Sequence, residues 1–161
     1  MSYPDASYFG DTGEMSGSFR PAGAEPDLRF AAGGGASYLA TDASTDGRFG
    51  LYRWDMAATP TGPGPHFHRT MSESFFVLAG TVRLYDGEGW RSAQAGDFLY
   101  VPPGGIHGFR NESGEPASML ILFTPGAPRE AYFEGIRHLP SMSDAEKAEF
   151  FLAHDNIWVD G

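Results

Sequence analysis

The chain has 161 residues, enough for one domain with a real core. Its formal charge of −10 argues against nucleic acid or an anionic membrane surface as partner; an acidic, solubilising surface accounts for it. Cysteine is absent, which removes disulfides, thiolate metal sites and cysteine nucleophiles, and Lys147 is the sole lysine, which leaves Schiff-base chemistry one candidate.

Residues 1–26 are rich in Gly, Pro, Ser and acidic side chains and read as an irregular arm. A short strand is predicted at Leu28-Arg29-Phe30, before a flexible Gly33-Gly34-Gly35. Residues 37–41 and 48–56 read as strands flanking a Thr45-Asp46-Gly47 turn. Further strands are predicted at 66–68, 73–79, 81–86, 97–101, 106–111 and 117–123, with Pro125-Gly126 ending the last. The 22 Gly and 12 Pro fit many short strands joined by turns rather than disorder. Residues 129–136 then read as a short helix with Tyr132, Phe133 and Ile136 on one side. Ser143 and Glu146 form a capping box that opens a second helix to about Ala153, and 156–159 ends as a short edge strand. The expected organisation is an arm over 1–26, a β-barrel over 27–125 and a helical tail over 126–161 packed on the barrel as a lid or dimer element. There is no apolar run of roughly 18 residues and no basic-then-apolar leader, so a cytoplasmic protein without membrane contact is expected.

The chemistry concentrates in two segments. The first is His66-Phe67-His68, four residues, Glu73, six residues, Gly80; the second is Gly96, five residues, Pro102-Pro103-Gly104, then His107 and Asn111. Side chains alternate along a strand, so His66 and His68 share a face and Phe67 points away. After a turn, Glu73 opens a strand whose Glu73, Phe75 and Val77 face inward, and Gly80 permits the left-handed turn that ends it. Pro102-Pro103-Gly104-Gly105 must turn, and the turn sends His107 back across the sheet to close the site. Three imidazoles and one carboxylate suit one divalent transition metal per chain: iron, nickel, manganese, copper, cobalt or zinc. His138 and His154 fall outside any ligand spacing and are expected at the surface or as caps.

These segments resemble the two signature motifs of the cupin superfamily. The second fits at every specified position; the first fits from His66 to Gly80, but Pro60 stands where a glycine is expected, with Gly62 and Gly64 nearby. The resemblance covers roughly residues 46 to 125. It implies a mainly β fold, a double-stranded β-helix (small jelly-roll barrel) with short C-terminal helices, and His66, His68, Glu73 and His107 as metal ligands. The stretches 45–51, 62–68 and 73–80, and the tail Phe123-Thr124-Pro125-Gly126 followed by Tyr132-Phe133-Glu134, are similar to single-domain, quercetin-dioxygenase-like cupins. That likeness implies ring-opening oxygenation of a flavonol or another enolic aromatic.

Such a site leaves coordination positions for an enolic hydroxyl, with Glu73 as ligand and catalytic proton acceptor. Tyr52, Trp54, Phe75 and Phe109 are candidates to wall the substrate cavity, Arg53 and Arg110 are the basic residues to consider at its mouth, and Asn111 is expected to hold the backbone. Two other classes stay open: a cyclase or isomerase of aromatic polyketide-like substrates, using the same enolate chemistry without oxygen, and a binding module whose metal is structural. A homodimer is expected, because barrel edges need covering.

Overall fold

Alternation of buried and exposed side chains is clearest in Gly50–Met56 and Ala117–Thr124, and these two strands form the middle of the larger sheet. The structure is a computed structural model and describes residues 2–159. In chain order the strands are β1 (Leu28–Arg29), β2 (Gly34–Ala40), β3 (Gly50–Met56), β4 (His66–Phe67), β5 (Ser72–Ala79), β6 (Thr81–Tyr85), β7 (Trp90–Gln94), β8 (Phe98–Val101), β9 (Gly108–Arg110) and β10 (Ala117–Thr124). Helix α1 (Arg129–Gly135), a 3-10 segment (Ile136–Ser141), helix α2 (Asp144–Ala153) and strand β11 (Ile157–Trp158) follow.

One sheet runs β1-β2-β3-β10-β5-β8, a second runs β7-β6-β9, and β11 pairs with β4; every pairing is antiparallel. Register places Tyr52, Ile121 and Phe75 in one cross-strand row, and Gly50, Phe123 and Glu73 in the next. The smaller sheet lies opposite, with the Phe109 ring 5.8 Å from Phe75 and 6.2 Å from Trp54. The core between them is apolar and largely aromatic, and each fully buried side chain of this size contributes roughly 1.5–3 kcal/mol. This is a double-stranded β-helix, the mainly β barrel expected from the sequence.

Close backbone approach explains two glycines near the site. A Cβ on Gly62, whose φ is +132°, would lie 2.1 Å from the Phe109 carbonyl oxygen. A Cβ on Gly108 would lie 2.9 Å from the Gly64 carbonyl oxygen. Gly62 therefore supplies the tight approach on the entering segment, although Pro60 precedes it, and Thr61 bridges Asn111.

The tail folds back over the barrel. Phe133 sits with its ring 5.0 Å from Tyr52 and 4.9 Å from Trp54, and Tyr132 stacks on Phe150 of α2 at 5.6 Å. The Ser143 hydroxyl accepts from the Glu146 amide, while the Glu146 carboxylate accepts from the Ser143 amide, so the predicted capping box is formed. Residues 2–27 form no helix or strand and leave Phe9, Met15 and Phe19 exposed. Among the described residues no helix is long and apolar enough to cross a membrane.

Three expectations need correction. Gly33-Gly34-Gly35 is not simply a flexible link, because Gly34 and Gly35 begin β2, where a Cβ on Gly34 would meet the Asp55 carbonyl oxygen at 2.1 Å. Strand β7 was not predicted: Trp90-Arg91-Ser92-Ala93-Gln94 buries only Ala93 and so shows no apolar alternation. The first helix ends at Gly135 and tightens into the 3-10 segment, which contains Pro140.

Candidate metal centre

Strand alternation turns His66 and His68 inward, β5 turns Glu73 toward them, and the 102–105 turn brings back His107. The two motifs are joined by reciprocal backbone bonds: the His66 amide donates to the His107 carbonyl and the His107 amide to the His66 carbonyl, both at 2.8 Å. The Gly104 amide donates to the His68 carbonyl at 2.7 Å. One ligand atom from each of His66, His68, Glu73 and His107 lies within 4.8 Å of the others, and all four residues are buried. The predicted ligand set is thus brought together in full.

Each imidazole is oriented from behind. The Nδ1 atoms of His66, His107 and His68 face the carbonyl oxygens of Gly64, Gly105 and Asp155, respectively. A carbonyl only accepts, so each Nδ1 carries the proton and donates. For His68 and His107 this directs Nε2 at the Glu73 carboxylate, 2.9 and 2.7 Å from Oε2. A neutral imidazole in this tautomer presents a lone pair to carboxylate lone pairs, so a proton or a cation must lie between them. Backbone-oriented imidazoles converging with a buried carboxylate fit a divalent metal ion.

The electrostatics agree. Burial, and then the neighbouring His107, lowers the His66 pKa to about 4, which keeps that imidazole neutral and ready to ligate. Burial alone would raise the Glu73 pKa, but the charges and hydrogen bonds of His107 and His68 outweigh it and hold Glu73 ionised. Burial pushes His107 down, and the Glu73 carboxylate more than restores it.

The centre opens on a cavity of about 500 Å³ whose wall includes His66 and Glu73 but not His68 or His107. Trp54 and Phe109 line it, together with Ile121 and Phe133. The other two aromatic candidates lie elsewhere. Tyr52 is fully buried between Tyr38, Phe123 and Phe133, with its hydroxyl donating to Glu130, and Phe75 is packed in the core between His107 and Phe109. Both are fully buried, and neither lines the cavity. Arg53 pairs with Asp55, and Arg110 lies over the Trp90 ring at 4.5 Å; neither lines the cavity. Asn111 does hold backbone, donating to the Ala57 and Glu115 carbonyls at 2.8 Å.

Sequence reasoning missed the contribution of the tail. Arg129, Tyr132, Asn156 and Trp158 all line the cavity. The Trp158 ring lies 5.2 Å from His66, and β11 pairs Trp158 with His66 and Ile157 with Phe67. The Asp155 carboxylate accepts from the Arg69 and Thr70 amides and the Thr70 hydroxyl. Tail positions carry no motif spacing; the available signal was an arginine set beside the aromatic pair Tyr132-Phe133.

Residues 52–123 match the family model described as Cupin domain. An uncharacterized protein of Aquifex aeolicus (strain VF5) is 36% identical over 66 residues, which are 40% of this chain and 53% of that protein. The chain therefore spans about half the length of the curated relative it matches. Among solved structures, an RmlC-like cupin from Shewanella frigidimarina NCIMB 400 shares the fold with a TM-score of 0.57 and 18% identity, over 72% of this chain and 96% of that one. A Cupin 2 conserved barrel domain protein from Salinispora arenicola CNS-205 gives 0.53 and 23%, over 73% and 96%. Residues 52–123 thus match a cupin domain, on a double-stranded β-helix scaffold whose His/Glu group could hold a metal ion.

Proposed function

We propose that the chain is a metal-dependent enzyme that oxygenates a flavonol-like or other enolic aromatic substrate. The observation that carries this reading is the cavity itself: one aromatic-walled space receives both His66 and Glu73, while His68 and His107 stay behind them. An aromatic ring fits against Trp54 and Phe109, and this orients its enolic oxygen toward the metal side. Glu73, held ionised, accepts the enol proton at a carboxylate oxygen. The surrounding apolar residues exclude water from the enolate. A divalent transition metal held by His66, His68, Glu73 and His107 supplies Lewis-acid stabilisation of that enolate and reactivity toward dioxygen. Oxygen uptake by metal-loaded protein across a panel of flavonols and simpler enols tests the reading. Enol conversion without oxygen uptake would replace it with a cyclase or isomerase, and tight binding without conversion would replace it with a binding module.

We also propose that the enzyme is a homodimer. Strand β8 is an edge of the large sheet, and its Phe98 is 63% exposed, Tyr100 56% and the cross-strand Phe76 40%. A second copy of this chain covers that face, and the exposed Phe9, Met15 and Phe19 of the 2–27 arm offer the apolar surface to do so. Light scattering should give twice the chain mass, and Phe98→Lys/Tyr100→Lys should give the monomer. A wild-type monomer at micromolar concentration would refute the dimer.

A further inference from the structure

Two buried polar side chains in the cavity wall carry atoms with no hydrogen-bond partner among the described residues. Arg129 is 4% exposed; its Nη1 donates to the His154 carbonyl at 2.7 Å, but its Nε is buried with no hydrogen-bond partner among the described residues. Asn156 is 2% exposed, and its Nδ2 and Oδ1 have no partner among the described residues. Buried polar groups are nearly always hydrogen-bonded, and a buried arginine is nearly always paired with an anion. Among the described residues no such anion faces Arg129: Glu73 is the one acidic residue of these that lines the cavity, and its carboxylate is turned to His68 and His107.

Arg129 is held without being neutralised. Its guanidinium carbon lies 4.3 Å from the Tyr132 ring centroid, 5.1 Å from Phe123 and 5.7 Å from Phe133. These aromatic faces cradle a cation and leave its charge intact. Burial works against that charge and the nearby Glu73 works for it, and an arginine stays protonated throughout. Arg137 also lines the cavity, as does Arg29, which is paired with Glu25.

We propose that Arg129 and Asn156 bind the carboxylate of an aromatic acid, so that the substrate presented to the metal centre is an anion. The inference rests on reading this cavity as the substrate site. A carboxylate is planar and offers two acceptor oxygens. One takes the Arg129 Nε–H and the other the Asn156 amide, which satisfies the donors that lack partners. The remainder of the ligand meets Trp54, Phe109, Ile121 and Phe133, which suits a ring and offers no polar partner to a second charged group. Held at the tail wall, the acid directs its other end toward His66 and Glu73. Arg129 is therefore a positioning residue for substrate, not a proton carrier.

The test compares benzoate with benzamide, equal in shape and different in charge, by calorimetric titration of metal-loaded protein and of protein stripped with a chelator. Benzoate should bind at least about tenfold more tightly than benzamide in both forms, because the preference resides in Arg129 and not in the metal. Arg129→Gln should remove the preference with melting temperature close to wild type, Arg129→Lys should restore it in part, and Asn156→Ala should weaken benzoate. Equal binding of the two probes in wild type overturns the proposal without any variant, which covers the case in which Arg129→Gln does not fold. A preference that vanishes on stripping the metal, or survives in folded Arg129→Gln, also overturns it. Benzoate preference without turnover of any enol would retire the oxygenase reading and leave this one standing; turnover of neutral enols without benzoate preference would do the reverse.

Discussion

Where His66, His68 and His107 converge, each Nδ1 has a carbonyl oxygen to bond, whereas at the tail end Arg129 Nε and both polar atoms of the Asn156 amide have no partner among the described residues. In the first region each Nδ1 is taken up by a carbonyl, and three imidazoles and a carboxylate converge on one point. The second is incomplete by two donors, and its cation is held by rings rather than by an opposite charge. Saturated polar groups fix a geometry, and unsaturated ones reserve a place. On the readings proposed above, one end of the cavity suits an inorganic ion and the other suits part of an organic one.

This contrast breaks most severely at the metal end. His66→Ala/His107→Ala should reduce metal from about one ion per chain to almost none by elemental analysis, since two of four ligands are gone. Stoichiometric metal in that variant would end the assignment. Glu73→Gln keeps the shape and an oxygen ligand but loses the charge. Turnover should drop on the order of a hundred- to ten-thousand-fold while part of the metal remains. Full turnover with metal retained rules out Glu73 as the proton acceptor. At the tail end, Phe133→Ala removes a ring packed on Tyr52, Trp54 and Phe123 and should destabilise the fold by about 3–5 kcal/mol in urea unfolding, with metal stoichiometry near one. Coincident loss of metal would show that the two ends are not separable.

The smallest effect is a pH dependence. His154 caps α2 and packs on Phe150 and Tyr132; burial, and then the charge of Arg129, lowers its pKa. Its folded pKa thus lies below the unfolded value of about 6.5, so the stability that its neutral form contributes is present above that pH and is lost as pH falls below it. The melting temperature of His154→Gln should decline less than that of wild type between pH 7.5 and 5.5. An equal decline would contradict this.

The two ends also differ in how far the sequence discloses them. Metal ligation imposes spacing on a strand pair, so His66, His68, Glu73 and His107 stand at readable intervals, and Gly80 with φ +71° marks the turn between two strands. The Ser143 capping box is equally local, and it forms. Arg129 and Asn156 reach the cavity because α1 and β11 dock on the barrel, and no interval along the chain encodes that docking. Strand β7 was hidden for a related reason: Arg91, Ser92 and Gln94 face solvent on an edge, so only its pairing with β6 marks it as a strand. Among the four aromatic candidates, inward direction was readable for Tyr52 and Phe75, but depth was not. A period of two reports which face a side chain takes, and the distance from that face to the cavity depends on the tail.

The pairing of β11 with β4 ties the tail to the strand that carries His66. Asp155 provides the carbonyl that receives the His68 Nδ1 proton and the carboxylate that fastens Arg69 and Thr70, and the Val159 amide donates to the Pro65 carbonyl at 3.2 Å. The ligand-bearing strand is thus clamped by residues more than eighty positions away. Thermodynamic linkage makes such a clamp reciprocal: whatever factor the docked tail adds to metal affinity, the metal adds to the docking equilibrium of the tail. On the proposed metal reading, loading the centre should raise protease resistance around residues 154–159, and equal resistance with and without metal would contradict it.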